Sequence, residues 1–254
     1  VTPPQAFNRD YVGFFKTLSD SLNSRGYTTF RYDNRSYSDT LLGNQLYEGR
    51  YTMHDAANDL HDALAFLKTD ERFASHPVGV IGHSEGGVIA PIVACEREDI
   101  AFVVLLAGTG VSGLEVLIEQ NRAVLGAMGY EKEFIEKNIE KLKRRDKTSG
   151  LQNVWMKCFL DLNPEVFLSK LKVPVLALNG EKDLQVSASQ NLPAIEKALK
   201  KAGNKHFKVV SLPELNHLFQ HCKTGLPNEY YHIEETFSPE VLLLIRDFIR
   251  EYVF

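Results

Sequence analysis

Short, continuous apolar runs alternate along this chain with segments whose apolar residues recur at helical spacing. The apolar runs predict strands at residues 78–81, 101–107, 173–178 and 207–212, and a less regular β-type run predicts another at 27–32. The helical spacing predicts helices at residues 7–25, 52–68, 87–96, 188–202 and 239–253. Strands that are apolar along their whole length are typical of a parallel sheet covered on both faces. The sequence therefore predicts an α/β fold with a mostly parallel sheet and helices on both faces.

The alternation stops between residues 109 and 172. Helical periods continue at 114–128 and 131–143, and no run there predicts a strand. Because this stretch follows an apolar strand, it leaves the carboxyl end of the sheet, where the active sites of open α/β sheets lie. We predict a core of residues 1–108 and 173–254 with a helical cap insertion at 109–172. A helical decoration elsewhere on the surface is the alternative.

Composition narrows the class of protein. A chain of 254 residues that is 44% hydrophobic and 24% charged fits one globular α/β domain with an insertion. Its net charge of −4 gives no support to nucleic-acid binding, and no segment approaches the ~20 apolar residues that span a bilayer. Cys95, Cys158 and Cys222 show neither metal-ligand spacing nor a disulfide framework. We expect a cytoplasmic protein, or a periplasmic or secreted one if a leader preceded Val1; its oligomeric state stays open.

The run Gly82-His83-Ser84-Glu85-Gly86 lies between a predicted strand and a predicted helix. This G-x-S-x-G pattern in a strand–turn–helix context is that of a nucleophile elbow. A sharp turn exposes the serine, and Gly82 and Gly86 let strand and helix approach because they lack a Cβ atom. The backbone N–H of Glu85 is a candidate oxyanion donor. We expect the side chain of His83 to pack rather than to act as the base for Ser84, since neighbours on a sharp turn point apart.

Two later loops supply candidate partners for the serine. In elbow-type hydrolases the order is serine, acid, histidine; Asp183 follows the strand at 173–178 and His217 follows the strand at 207–212. The roles would be nucleophile for Ser84, base for His217, and orienting carboxylate for Asp183. Alternatives remain: Glu181 as the acid, a simple turn or helix-cap role for Asp183, and three other late histidines, His221, His206 and His232. Of these, His221 is the runner-up, and His206 precedes its strand.

These residues and several flanking segments resemble the α/β-hydrolase superfamily, more closely its bacterial serine-carboxylesterase branch related to acylaminoacyl-peptidase-like hydrolases. The matching segments are residues 30–35, 81–87, 103–108, 174–183 and 215–220. The resemblance implies hydrolysis of small carboxylic esters by a triad of Ser84, Asp183 and His217, with no metal and no cofactor. A peptidase or acyl-peptide hydrolase with the same triad, and a non-catalytic binding protein of this fold, are the alternatives.

The chain departs from that family's pattern in two places. Asn34-Arg35-Ser36 stands where the family usually has Asp-Arg-Gly. The family also has further strands before the segment that begins here, and one of them leads into a glycine-containing loop that gives a second oxyanion donor. We expect either that N-terminal strands are missing from this sequence or that residues 2–6 take over that role.

Overall fold

A computed structural model describes residues 6–33, 50–145 and 153–252, with only the backbone described at residues 6–12. Its helices and strands follow one another along the chain as α1 (Ala6–Asn23), α2 (Met53–Thr69), β1 (Val78–His83), α3 (Gly86–Ala94), β2 (Ile100–Leu106), α4 (Gly113–Ala127), α5 (Lys132–Lys143), α6 (Val154–Asp161), α7 (Glu165–Leu168), β3 (Val175–Gly180), α8 (Ala188–Lys201), β4 (Phe207–Leu212) and α9 (Pro239–Tyr252), with a 3₁₀ turn (Tyr230–His232) before α9.

The four strands form a parallel sheet in the order β1-β2-β3-β4. In its centre, Val104 of β2 lies opposite Ile81 of β1 and Leu176 of β3. Because all four strands run the same way, the loops that follow them leave from one edge of the sheet. That edge carries the predicted site residues.

Two apolar cores lie on opposite faces of the sheet, since successive side chains of a strand alternate. Val103 and Leu105 of β2 pack in one core with residues of α2, α3 and α8. Val104 and Leu106 pack in the other with residues of α1 and α9. Full burial of such a side chain stabilises the fold by about 1.5–3 kcal/mol. The predicted α/β architecture, a parallel sheet with helices on both faces, is confirmed.

Helix α2 begins where the sequence predicts. The Thr52 hydroxyl accepts a hydrogen bond from the Asp55 N–H at 3.3 Å, and the Asp55 carboxylate accepts one from the Thr52 N–H at 2.8 Å. This capping box satisfies two backbone donors that the first helical turn would otherwise leave without partners. Helix α1 stops before Gly26, whose φ of +87° is one that glycine adopts without strain.

The predicted strand at 27–32 is wrong. This run has no regular secondary structure and joins no ladder, and Phe30 and Tyr32 remain 44% and 42% exposed. Phe30 instead contacts the ring of Phe66 on α2, with centroids 6.0 Å apart. Among the described residues, β1 at that end of the sheet pairs only with β2. β-propensity forms a strand only where a neighbouring strand supplies hydrogen bonds and packing. The predicted loop at 38–51 lies largely outside the described residues, as do residues 2–5 and Asn34-Arg35-Ser36.

Between β2 and β3, the described residues 109–145 and 153–172 form helices α4–α7 and no strand. We call residues 109–172 the helical segment. A capping box between Ser112 and Glu115 opens α4, and α4 and α6 meet so closely that a Cβ on Gly113 would lie 2.0 Å from the Phe159 carbonyl oxygen. Within the three described ranges, no helix is long and apolar enough to cross a membrane.

Candidate active site

The turn at Ser84 is sharp and strained. Ser84 has a φ of +53°, a left-handed conformation that non-glycine residues rarely adopt. Its N–H donates to the Leu106 carbonyl at 2.8 Å, which ties the turn to the end of β2. A Cβ on Gly82 would lie 2.0 Å from the Gly86 carbonyl oxygen, whereas a Cβ on Gly86 would meet no atom within 4 Å. The close approach of strand and helix therefore depends on Gly82, and nothing around Gly86 requires a glycine there for space.

Glu85 lies at the N-terminus of α3, directly after Ser84. Its backbone N–H donates to no acceptor among the described residues, and the positive end of the helix dipole lies at this point. Its half-buried side chain accepts a hydrogen bond from Trp155 Nε1 at 2.6 Å. Burial raises the pKa of the Glu85 carboxyl, and the Trp155 hydrogen bond opposes that effect.

Asp183 and His217 form a buried pair. His217 Nδ1 donates to Asp183 Oδ2 at 2.7 Å, and the two residues are 2% and 3% exposed. The other carboxylate oxygen, Oδ1, accepts from the N–H groups of Gln185 and Val186 at 2.8 and 2.9 Å. These contacts fix the orientation of the carboxylate, and a carboxylate that accepts from Nδ1 favours the imidazole tautomer with its proton on Nδ1.

His83 contacts the backbone of His217. His83 Nε2 donates to the His217 carbonyl at 2.9 Å, and the two ring centroids are 4.8 Å apart. Burial is the main reason that the pKa of His83 falls from 6.5 to about 3; the nearby His217 lowers it further, and the hydrogen bond to the His217 carbonyl opposes both. The sequence predicted only that His83 packs; the structure adds a direct link between the turn of Ser84 and the loop of His217.

The alternative candidates for the acid and the base lie outside the buried pair of Asp183 and His217. Glu181 is exposed and accepts a hydrogen bond from the Ser211 hydroxyl at 3.0 Å. His221 is exposed and pairs with Glu235 at 2.9 Å. His206 and His232 are also exposed. None of them takes the place of Asp183 or His217 in the buried pair.

Ser84, Asp183 and His217 follow β1, β3 and β4 at the same edge of the sheet. The structure brings Asp183 and His217 into direct contact. His83, the last residue of β1 and directly before Ser84, is hydrogen-bonded to the His217 carbonyl, and among the described residues the Ser84 hydroxyl forms no hydrogen bond with His217.

Gln185 and Tyr230 lie beside the buried pair of Asp183 and His217, and the sequence predicted a role for neither. Gln185 Nε2 donates to the Tyr230 hydroxyl at 3.3 Å, and that hydroxyl donates to the Gly225 carbonyl at 3.4 Å. Burial, followed by the charge of Asp183, raises the pKa of Tyr230 above its usual value. No spacing pattern marks either residue, because they meet Asp183 only through the loops after β3 and β4.

In the ranges that the structure describes, no group of three or more His, Cys, Asp or Glu side chains is arranged to hold a metal ion. The chemistry of the donor set at this edge of the sheet is that of a hydroxyl, an imidazole and a carboxylate.

A family model described as "BAAT / Acyl-CoA thioester hydrolase C terminal" matches residues 60–225, which is more than half of the chain. The chain belongs to this family. The matched range includes Ser84, Asp183 and His217. Among curated proteins, none matches this sequence significantly.

Several solved structures have the same fold as this chain. An esterase of Pyrococcus furiosus has a TM-score of 0.62 at 16% identity, covering 95% of this chain and 76% of that one. A dienelactone hydrolase from Anabaena variabilis scores 0.58 at 18% identity, covering 96% and 82%. The esterase Est1E from Butyrivibrio proteoclasticus scores 0.56 at 18% identity, covering 100% and 85%. The chain is a member of the α/β-hydrolase superfamily, and its family supports a hydrolytic function.

Proposed function

We propose that this chain is a serine hydrolase that cleaves small carboxylic esters through an acyl-enzyme intermediate. The observation that carries the proposal is the buried hydrogen bond between Asp183 and His217, at the sheet edge where the strained turn presents Ser84. A buried imidazole with a fixed carboxylate partner is what a weak hydroxyl nucleophile needs as its base.

The proposed chemistry assigns one role to each residue. His217 Nε2 takes the Ser84 proton as Oγ attacks the ester carbonyl carbon, and the free N–H of Glu85 stabilises the oxyanion that forms. His217 then gives the proton to the leaving alcohol, which leaves an acyl group on Ser84. His217 then takes a proton from a water molecule that attacks the acyl carbon, and it returns this proton to Ser84 Oγ as the acyl–Oγ bond breaks, which releases the carboxylic acid and regenerates the serine. Asp183 orients the His217 ring throughout and stabilises the imidazolium each time it forms.

Thioesters are the second candidate substrate class, since the matching family is described as acyl-CoA thioester hydrolases. The same attack, oxyanion and acyl-enzyme serve an ester or a thioester, and only the leaving group differs. The proposed cap, the helical segment 109–172, would cover the acyl group in either case.

Labelling with a fluorophosphonate and turnover of p-nitrophenyl acetate, p-nitrophenyl butyrate and butyryl thioesters test the proposal. We expect stoichiometric labelling of Ser84 and ester turnover that falls by at least about 10³-fold in Ser84→Ala. An unlabelled parent protein without turnover, or turnover that survives Ser84→Ala, would refute it. A kcat/KM for thioesters well above that for oxygen esters would favour the second candidate.

A further inference from the structure

The side chain of Glu85 joins the turn at Ser84 to the helical segment. Its Oε1 accepts from Nε1 of Trp155 at 2.6 Å, although the two residues are 70 positions apart in the chain. Because Glu85 directly follows Ser84, this bond places the indole within about one side chain's length of the nucleophile turn. Tyr51 lies near the same carboxylate, whose charge contributes to raising the pKa of the Tyr51 hydroxyl after burial and the hydrogen bond to Asp59.

A second contact holds the indole of Trp155. Its ring stacks on Phe159 with centroids 5.3 Å apart and an interplanar angle of 11°. Phe159 is itself buried against α4, where Gly113 packs directly on its carbonyl. The indole is therefore fixed between a polar contact on the core side and an aromatic contact within the helical segment, and it is not a freely rotating surface side chain.

Trp155 keeps an open surface despite these contacts. It is half-buried, whereas its stacking partner Phe159 is only 9% exposed. Leu117 and Met156 of the helical segment pack with it against the same apolar core. A large aromatic side chain that is held in place and only partly buried is well suited to form the wall of a pocket.

We propose that Trp155, oriented by Glu85, determines acyl-chain specificity by forming the apolar wall beside Ser84 that limits the site to short acyl groups. This inference rests on the proposed ester hydrolysis and adds to it a class of substrate, short-chain acyl esters or thioesters. The Glu85 carboxyl acts through Trp155 and is a positioning group. In Glu85→Gln the side-chain amide oxygen can still accept from the indole N–H. Glu85→Ala removes the acceptor.

Fluorescence tests the positioning half of the proposal without any need for activity. Trp155 is the only tryptophan of the chain, so the whole indole emission comes from it. We expect Glu85→Ala to raise the acrylamide quenching constant at least about twofold, since the indole loses its partner, and Glu85→Gln to stay close to the parent protein. Equal quenching in all three proteins would overturn the role of Glu85.

Kinetics on p-nitrophenyl acetate, butyrate and octanoate test the wall itself. We expect the octanoate-to-acetate ratio of kcat/KM to rise about tenfold in Trp155→Ala, mainly through KM, because removed ring volume admits a longer chain. Trp155→Phe, which keeps the stack on Phe159, should change the ratio less. Tyr130→Phe, at an exposed position of the helical segment, is the control and should not change it. An unchanged ratio in Trp155→Ala would overturn the proposal.

If the parent protein turned over no ester and took no fluorophosphonate label, the proposed function would fail, and calorimetric binding of octanoate and acetate would then judge the wall separately. Octanoate should bind at least about fivefold more tightly to Trp155→Ala than to the parent protein, with acetate binding unchanged. Equal octanoate binding to both proteins would refute the wall, independently of whether Ser84 is catalytic.

Discussion

At the scale of single residues, His83 is the clearest case of a side chain whose role exceeds packing. It is buried against Phe14, with ring centroids 4.6 Å apart, and its Nε2 donates to the His217 carbonyl. Its neighbour in sequence is Ser84. The bond therefore fixes the distance between the turn of Ser84 and the loop of His217, the proposed nucleophile and base.

We expect His83→Phe to lower kcat roughly 10–100-fold with little change in KM, because loss of the donor lets the His217 loop shift relative to Ser84, and small displacements of catalytic groups cost rates of this order. Steady-state kinetics on a short ester measure this effect. His83→Gln, which retains an N–H donor, should recover part of the lost rate. Full activity of His83→Phe would contradict the positioning role.

The sequence could single out Ser84, Asp183 and His217 as candidates, because each follows an apolar strand in a fixed order; their catalytic roles stay a prediction. It could not predict the contact of His83 with His217, which spans 134 residues, or that of Glu85 with Trp155. Such contacts depend on how separate loops meet in three dimensions, and neither partner carries a local pattern that points to the other.

At the scale of elements, two glycines at the junction of β1 and α3 look equivalent in the sequence but have different surroundings in the structure. A Cβ on Gly82 would overlap the Gly86 carbonyl, and a Cβ on Gly86 would occupy open space. The strand and the helix can lie this close only while position 82 has no side chain.

Gly82→Ala should lower the free energy of unfolding by about 1–3 kcal/mol or more, since the helix must move away from the strand. Gly86→Ala is the matched control and should leave stability unchanged or raise it by about 0.4–1 kcal/mol, because alanine restricts the unfolded chain. Urea denaturation of the two variants measures the difference. Equal effects would show that the close approach is not what requires Gly82.

The sequence predicts where helices begin and end more reliably than it predicts the strand at 27–32. Thr52 and Asp55 form a capping box from residues three positions apart, and Gly26 ends α1 by its own backbone preference. Signals of this kind act within one turn of the chain. A strand needs a neighbour, and the run at 27–32 has none among the described residues, so its local β-propensity is not sufficient.

At the scale of the whole molecule, stability should depend on pH through His83. Its pKa is about 3 in the folded protein and 6.5 when unperturbed. The unfolded chain therefore takes up a proton as the pH falls below 6.5, while the folded chain does not until about pH 3. The stability that neutral His83 contributes is complete above pH 6.5 and declines as the pH falls from 6.5 toward 3.

Thermal unfolding followed from pH 8 to pH 4 tests this dependence. The melting temperature of the parent protein should fall through the window below pH 6.5, and His83→Gln, which cannot titrate, should show a shallower fall. Parallel curves for the two proteins would assign the acid sensitivity to other groups.

Glu229 should add a second pH dependence of stability, at lower pH than that of His83. Burial raises the pKa of this carboxyl, but hydrogen bonds from the Thr224 hydroxyl and from the N–H groups of Lys223, Thr224 and Gly225 outweigh it, so the pKa falls from 4.5 to about 2. The stability from ionised Glu229 is present above pH 4.5 and is lost as the pH falls toward 2. Glu229→Gln should therefore lie below the parent protein in melting temperature at pH 6 and approach it near pH 2.

The left-handed backbone at Ser84 lowers the thermal stability of the fold, whereas the proposed hydrolysis requires the serine at this position. An L-residue at φ +53° costs roughly 1–2 kcal/mol that glycine avoids, so Ser84→Gly should unfold at a higher temperature than Ser84→Ala or the parent protein while hydrolysing nothing. Under the proposed function, a laboratory population selected for heat tolerance alone would drift toward glycine at this position. Only a screen that also demands turnover in every round would retain Ser84, and the strain of this turn would then be the stability that is given up for activity.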